Sequence, residues 1–250
     1  MTVRAITVDF WGTLLFDPPA SDDRYRVRRM RDFESILAAA GVRVSAPALD
    51  RAYEASGAYL GRIWATNRDV PVDEHVRAIV GSVDRGLAAR LPGDLLAALV
   101  DAYTRPILMV PPTVDDGAVK ALSTLCDLGY SLAIVSNTMR TPGTMLRRVL
   151  ERYGLLRYFA HSAFSDETRV RKPDPAIFLG ALRALGAEPS QAIHVGDDPI
   201  LDVEGARAAG MRVVQVTTIP FAGLDTHRPD AVVPSLIALA DAIGRLDLDA

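Results

Sequence analysis

The apolar positions divide the chain into a short strand, a long helical block and an alternating region. Residues 3–8 (VRAITV) are rich in β-branched side chains and end at Asp9, which predicts a buried strand with a polar residue at its carboxyl end. From about residue 22 to residue 108, apolar side chains recur three and four positions apart, as in amphipathic helices. Turn residues such as Gly41 and Pro71 divide this block into about four predicted helices.

After residue 112, predicted helices and strands alternate. The predicted helices cover 115–128, 144–153, 175–185, 201–209 and 236–246, and the predicted strands cover 130–135, 159–164, 192–195, 212–216 and 231–233. Strands separated by helices of about ten or more residues indicate a mainly parallel sheet. Proline pairs at 18–19 and 111–112 flank the helical block and favour extended linkers. The sequence therefore predicts an α/β fold with a Rossmann-like open parallel sheet core (1–17 and 112–250) and an inserted all-helical domain (18–111).

Composition excludes several classes of protein. The 28 basic and 31 acidic residues give a formal charge of −3, so there is no basic excess for binding nucleic acid. A single cysteine, Cys126, and four scattered histidines match neither a disulfide framework nor a zinc or iron–sulfur site. The longest uncharged stretches have 12 residues, well short of the roughly 20 that span a bilayer. The first 15 residues lack a secretory signal pattern, and we therefore expect a cytoplasmic protein without membrane or nucleic-acid partners.

Polar side chains follow the predicted strands at their carboxyl ends, which is where ligands bind in an open α/β sheet. These residues are Asp9, Gly12 and Thr13 after the first strand, Ser136 and Asn137 after the second, Lys172 after the third, and Asp197, Asp198 and Asp202 after the fourth. A carboxylate can attack phosphorus, clustered acids bind Mg²⁺, and a hydroxyl and a lysine can hold phosphate oxygens. Lys172 stands out because 26 of the 28 basic residues are arginine. The set is typical of phosphoryl transfer.

These segments resemble, in order, the four motifs of the haloacid dehalogenase superfamily, and the helical block resembles its C1-type helical cap. The resemblance is most marked over 164–217, which contains FSDETRVRKPDPAIF and HVGDDPILDVEGARAAGM. It implies a hydrolase in which Asp9 is the nucleophile and Lys172 balances charge. It also implies a substrate phosphate held by Gly12, Thr13, Ser136, Asn137 and Lys172. The Mg²⁺ ligands it implies are Asp9, the main-chain carbonyl of Trp11 and Asp197, with Asp198 or Asp202 supporting them.

Position 11 departs from the motif of most phosphatases of this superfamily. They carry a second Asp there, which protonates the leaving group, whereas this chain has Trp11. An indole cannot transfer a proton, and general acid–base help is worth about 10²–10⁴-fold in rate. The resemblance thus implies a phosphatase that is slow or takes its acid from the cap, the substrate or water, acting on a small phosphorylated metabolite as a monomer or homodimer.

Two alternatives stay open at this point. Metal-independent 2-haloacid dehalogenases of the same superfamily also have an aromatic residue two places after the nucleophile. Their fourth motif lacks the leading acid, whereas this chain has Asp197 and Asp198, which repel each other unless a cation lies between them. The second alternative is a catalytically silent protein that binds a phosphorylated ligand.

Several other polar and aromatic residues have structural explanations. We expect Asp174 to cap the helix that follows it, and Asp198 and Asp202 could act in the same way. The arginines between positions 24 and 31 are interspersed with acids and predict a solvated helix face. The aromatic residues of the helical block, Tyr25, Tyr59 and Trp64, are expected in its core.

Overall fold

The computed structural model describes residues 2–218 and 228–248. The strands are β1 (Ala5–Val8), β2 (Leu15–Phe16), β3 (Thr113–Val114), β4 (Ser131–Ser136), β5 (His161–Phe164), β6 (Ala192–Gly196), β7 (Arg212–Val216) and β8 (Ala231–Val233). The helices are α1 (Ser21–Ala39), α2 (Ala46–Trp64), α3 (Val72–Val83), α4 (Arg85–Arg90), α5 (Gly93–Thr104), α6 (Pro106–Met109), α7 (Ala118–Asp127), α8 (Gly143–Arg152), α9 (Ser165–Thr168), α10 (Pro175–Leu185), α11 (Gly205–Ala208) and α12 (Leu239–Leu248). None of the described helices is both long and apolar enough to cross a bilayer.

Six strands form one parallel sheet in the order β5-β4-β1-β6-β7-β8. The central strand β1 is buried along its whole length, as expected for a parallel strand covered on both faces. Ile6 and Val8 belong to an apolar cluster with α7, α8 and α12, whereas Ala5 belongs to a cluster with α10 and α11 on the opposite face. The predicted α/β fold class with an open parallel sheet is confirmed.

Helices α1–α6 lie in the chain between β2 and β3, and we call residues 18–111 the helical insert. A third apolar cluster holds its helices together, with Phe33, Leu49, Ile79 and Leu99 among its fully buried members. The short strands β2 and β3 pair antiparallel where the chain enters and leaves the insert. The sequence pattern does not predict this pair of strands, because each strand has only two residues.

The insert has more helices than the four predicted, and the extra boundary at Asp84 has a physical cause. Asp84 has extended backbone, and its carboxylate accepts hydrogen bonds from Gly86 N and Leu87 N, so α3 ends and α4 begins at this residue. Pro106 similarly begins α6 directly after α5.

The helix predicted over 201–209 begins earlier than expected. A π-helical turn, Pro199–Glu204, comes first and α11 continues it. Asp198 caps this turn, because its Oδ1 accepts hydrogen bonds of 2.8 Å from both Ile200 N and Leu201 N. Asp174 caps α10 as predicted, accepting a 3.0 Å hydrogen bond from Ala176 N.

Candidate active site

Three neighbouring strands bring the predicted site residues to one edge of the sheet. Asp9 follows β1, Ser136 ends β4, and Asp197 follows β6, and the order β4-β1-β6 makes these strands adjacent. The backbone N–H of Asp9 donates a 2.9 Å hydrogen bond to Val195 O, which fixes the end of β1 against β6. The loop before α10 contributes Lys172.

Lys172 joins two carboxylates at this edge. Its Nζ lies 2.8 Å from Oδ1 of Asp9 and 2.5 Å from Oδ1 of Asp202, and all three side chains are buried. Burial alone would lower the pKa of Lys172, but the charges of Asp202 and Asp9 outweigh it and raise that pKa above its ordinary value. Burial raises the pKa of Asp9, while Lys172 opposes this shift. Lys172 therefore carries a fixed positive charge beside Asp9.

Asp202 is held in place by further hydrogen bonds. Its Oδ1 also lies 3.0 Å from Nε2 of His194, and its Oδ2 accepts a 3.0 Å hydrogen bond from Asp198 N. Although burial would raise the pKa of Asp202, Lys172 and His194 hold it well below its usual range. The other ring nitrogen of His194, Nδ1, lies 2.8 Å from the Thr7 hydroxyl. Neither His194 nor Thr7 is among the site residues that the sequence predicts.

Asp197 provides the third carboxylate of the cluster. Oxygen atoms of Asp9, Asp197 and Asp202 all lie within 4.8 Å of one another. The pKa of Asp197 is raised to about 7, first by burial and then by the charges of Asp9 and Asp202. Its described hydrogen-bond donor is the Thr13 hydroxyl, at 3.4 Å. Since Lys172 contacts the other two carboxylates, a divalent cation beside Asp197 would relieve the remaining repulsion, and this donor set fits Mg²⁺.

Gly12 allows the backbone after β1 to approach the acidic cluster. Its φ is +73°, and a Cβ atom at this position would collide with the carboxylate of Asp197. Trp11, beside it, lines the cleft and packs edge-on against Phe10, with ring centroids 4.7 Å apart. Asp198 lies outside the cluster of three carboxylates and caps the π-helical turn instead.

Ser136 and Asn137 have different surroundings. The hydroxyl of Ser136 is buried and has no hydrogen-bond partner of good geometry among the described residues. A buried hydroxyl left unpaired is costly, which makes Ser136 Oγ a position for a ligand oxygen. The side-chain amide of Asn137 donates to Lys172 O at 3.0 Å and accepts from Lys172 N at 2.8 Å. Asn137 thus holds the main chain of Lys172 in position.

A cleft of about 710 Å³ lies between this edge and the helical insert. The sheet side contributes Asp9, Asp197, Ser136, Asn137 and Lys172. The insert side contributes cationic and aromatic residues, among them Tyr25, Arg29, Tyr53 and Trp64. Trp64 and Tyr25, both expected in the core of the insert, line the cleft. Tyr25 is buried and packs in the apolar cluster of β1, and Tyr59 is half-buried.

The prediction of a solvated arginine face is wrong for Arg29. This side chain is 1% exposed, and its guanidinium donates to Tyr103 O at 2.7 Å and to the Tyr53 hydroxyl at 3.0 Å. The sequence does indicate that Arg29 is buried, because it lies four residues from both Tyr25 and Phe33, on the apolar face of α1.

A second buried network, absent from the sequence-based expectations, joins the insert to the site. Oδ2 of Asp69, between α2 and α3, accepts hydrogen bonds from Arg171 Nη1 at 2.6 Å and from the Ser165 hydroxyl at 2.5 Å. Oδ1 accepts from Trp64 Nε1 at 2.9 Å. Arg171 is adjacent to Lys172 and also donates to Thr138 O. No local pattern predicts this network, because the partners of Asp69 outside the insert are about 70 to 100 residues away.

Comparisons with known proteins identify the family of this chain. A model of haloacid dehalogenase-like hydrolases matches residues 3–210. Glyceraldehyde 3-phosphate phosphatase of Methanopyrus kandleri is 32% identical over 133 residues, which are 52% of this chain and 52% of that protein. Phosphoserine phosphatase of Thermus thermophilus is 39% identical over 103 residues, 41% of this chain and 39% of that protein. These matches span about half or less of the length of the curated relatives.

Solved structures show the same fold over nearly the whole chain. A 2-haloacid dehalogenase from Pseudomonas syringae pv. Tomato DC3000 is 22% identical, with 98% of this chain and 99% of that one covered, at a TM-score of 0.70. A HAD phosphatase from Thermococcus onnurineus is 23% identical, with 97% and 98% covered, at a TM-score of 0.59. At these identities the likeness concerns the fold alone. The match over 3–210 shows that the chain belongs to the haloacid dehalogenase-like hydrolase family.

Proposed function

We propose that this protein is a Mg²⁺-dependent phosphohydrolase of small phosphorylated metabolites, acting through an aspartyl-phosphate on Asp9. The observation that carries the proposal is the cluster of three carboxylates, Asp9, Asp197 and Asp202, beside a single ammonium group, that of Lys172. The excess negative charge calls for a cation, and Ser136 offers a buried hydroxyl to an incoming oxygen. Relatives named as phosphatases support the same chemistry.

The proposed reaction uses one carboxylate oxygen of Asp9. Lys172 lies against Oδ1, which leaves Oδ2 to attack phosphorus. The bond from Asp9 to phosphorus forms as the bond to the leaving oxygen breaks, and the leaving oxygen takes up a proton. Water then attacks the same phosphorus, loses a proton, and releases inorganic phosphate and the free carboxylate. Ser136 and Lys172 hold the phosphoryl oxygens during both steps.

Asp9, Asp197 and the main-chain carbonyl of Trp11 would hold the Mg²⁺. Bound there, the ion would neutralise charge on the phosphoryl oxygens. Asp202 supports the site through Lys172, and Asp198 does so through its backbone N–H, which donates to Asp202. We also propose that the helical insert acts as a cap that covers the cleft and limits the access of water.

A specific feature favours a second candidate, metal-independent 2-haloacid dehalogenation. Trp11 supplies an aromatic side chain two residues after Asp9, and it lines the cleft. In that reaction Asp9 would attack carbon and displace a halide. A third carboxyl group beside Asp9 and Asp202, that of Asp197, is unexpected in such a site, so we place this function second.

The test is hydrolysis of a panel of phosphate esters, including an aryl phosphate and acetyl phosphate, with Mg²⁺ and with EDTA. We expect activity that requires both Mg²⁺ and Asp9 and is lost in Asp9→Asn. Asp127→Asn makes the same change at an exposed position of α7 and serves as the matched control. Chloride release from 2-chloropropionate in EDTA would overturn the proposal in favour of the dehalogenase. Binding of phosphate esters without turnover would indicate a silent binding protein.

A further inference from the structure

Two arginines on the wall of the cleft lie close together without a carboxylate partner. Arg29 comes from α1, and Arg140 comes from the loop after β4, four residues beyond Ser136. Nη2 of Arg29 donates to Arg140 O at 3.3 Å, which places the two residues in contact. Within the described part of the chain, neither guanidinium forms an ion pair.

All the hydrogen-bond partners of these two guanidinium groups are neutral. Besides its bonds to Tyr103 and Tyr53, Arg29 contacts the Thr141 hydroxyl at 3.4 Å. Nη1 of Arg140 donates to the Ser56 hydroxyl at 3.0 Å and the Tyr103 hydroxyl at 3.1 Å, and Nη2 donates to Tyr53 O at 3.3 Å. The guanidinium of Arg140 also stacks 3.9 Å from the centre of the Tyr53 ring. These contacts fix both groups in position without balancing their charge.

The other cations of the cleft are paired. Lys172 is held by Asp9 and Asp202, Arg171 by Asp69, and Arg26 by Asp50 and Glu54. The acidic residues that line the cleft beside α1, Asp17, Asp22 and Asp23, are exposed to solvent. Two cations in a partly buried wall repel each other and lose hydration, which is costly unless an anion joins them.

The positive charges of Arg29 and Arg140 also lower the pKa of a neighbouring histidine, His75. The pKa of His75, which is buried near Tyr103, is lowered to about 4. Burial is the largest cause, and the charges of Arg140, Arg29 and Arg171 lower the pKa further against the opposing charge of Asp69.

We propose that Arg140, with the positive charge of Arg29 beside it, binds a carboxylate of the substrate, so that the enzyme acts on small phosphorylated carboxylic acids. This inference rests on the proposed phosphohydrolase function. The hydrogen bonds described for Arg140 leave Nε–H and one Nη2–H unused, and such a pair matches the two oxygens of a carboxylate. Arg140 follows Ser136 by four residues, and both line the cleft of about 710 Å³, which favours a small substrate.

Two matched substrate pairs test the carboxylate subsite with the Mg²⁺-loaded full chain. The pairs are 2-phosphoglycolate with ethyl phosphate, and 3-phosphoglycerate with glycerol 3-phosphate. We expect kcat/KM to favour the carboxylate by about tenfold or more in at least one pair, since a charge-assisted pair of hydrogen bonds is worth that much. A ratio near one in both pairs would overturn the proposal.

Variants of Arg140 test whether this residue causes the preference for carboxylate substrates. Arg140→Gln should reduce the ratio to near one, while Arg140→Lys, which keeps the charge without the planar fork, should retain part of it. Arg31→Gln is the matched control, because Arg31 is exposed on α1 outside the cleft, and it should keep the full ratio. An unchanged ratio in Arg140→Gln and Arg140→Lys, with both variants shown to be folded by circular dichroism, would overturn the assignment.

Failure of the proposed function can be told apart from failure of the subsite. If no phosphate ester is hydrolysed, binding of the same four compounds to Asp9→Asn is measured by calorimetry. A Kd about tenfold lower for the carboxylate member of a pair would support the subsite without turnover. Equal Kd values within both pairs would overturn it.

Discussion

Oδ2 of Asp69 in the helical insert lies 2.6 Å from Nη1 of Arg171, the residue immediately before Lys172. Both side chains are buried, and the backbone supports the contact. Asp69 N donates to Arg169 O at 3.2 Å, and Arg171 N donates to Asn67 O at 3.0 Å. The insert is therefore hydrogen-bonded to the loop that carries Lys172.

Replacement of Asp69 should destabilise the protein strongly. Asp69→Ala leaves the buried guanidinium of Arg171 without its counter-ion, and we expect the free energy of unfolding to fall by about 3–5 kcal/mol in urea titrations. Asp73→Ala, in an exposed pair with Arg77, should cost less than about 1 kcal/mol. Adding Arg171→Met to Asp69→Ala should restore part of the loss. A loss below about 1 kcal/mol for Asp69→Ala would contradict this account.

Removal of the Ser136 hydroxyl should affect stability and activity differently. Because this buried hydroxyl has no hydrogen bond of good geometry, Ser136→Ala should change the free energy of unfolding by less than about 1 kcal/mol. If Ser136 holds a phosphoryl oxygen, kcat/KM for phosphate esters should fall by about 10²-fold. Ser165→Ala is the contrasting control, since its hydroxyl donates to Asp69 and its loss should destabilise. A large loss of stability in Ser136→Ala would show that the hydroxyl serves the fold.

Introducing an acid at position 11 should accelerate the hydrolysis of phosphate esters that have poor leaving groups. Trp11 lines the cleft two residues after Asp9, and Trp11→Asp would supply a carboxyl for proton transfer. We expect turnover of an alkyl phosphate to rise by up to about 10²-fold, and that of an aryl phosphate, whose leaving group needs less protonation, to rise less. Trp11→Asn removes the indole without adding an acid and should give no such difference. Equal effects of the two substitutions would argue against a missing acid.

His75 should make the fold sensitive to mild acid. Its pKa is about 4 in the folded chain against 6.5 in the unfolded one, so the unfolded chain takes up the proton first as the pH falls. The free energy of unfolding should decrease from pH 6.5 to pH 4 by up to about 1.4 kcal/mol per pH unit from this residue. His75→Asn should flatten this part of a stability curve measured by urea unfolding. His161→Asn is the control, and equal curves for the two variants would refute the assignment.

The sequence predicted those parts of the molecule that depend on local pattern. The strands that carry Asp9, Ser136 and Asp197 are short, apolar and bounded by polar residues, and the parallel topology then brings their ends together. The helix boundary at Asp84 escaped prediction because a capping carboxylate, rather than a glycine or proline, ends the periodic stretch.

Contacts between the insert and the sheet edge could not be predicted in the same way. Asp69 and Arg171 are in contact although they are 102 residues apart in the sequence. Arg29 and Arg140 are in contact although they are 111 residues apart. Spacing along one helix can show that Arg29 lies on the buried face, but it does not show which loop covers that face. These partners depend on how the insert packs over the cleft.

The backbone junction between residues 67–69 and 169–171 has a consequence for protein engineering. Exchanging residues 18–111 for the corresponding segment of another family member would replace one side of that junction and leave the other. A chimera whose donor lacks a carboxylate between its second and third helices would leave Arg171 without a counter-ion in the sequence position next to Lys172. A graft designed to change specificity should therefore transfer Asp69, Thr138, Ser165 and Arg171 together.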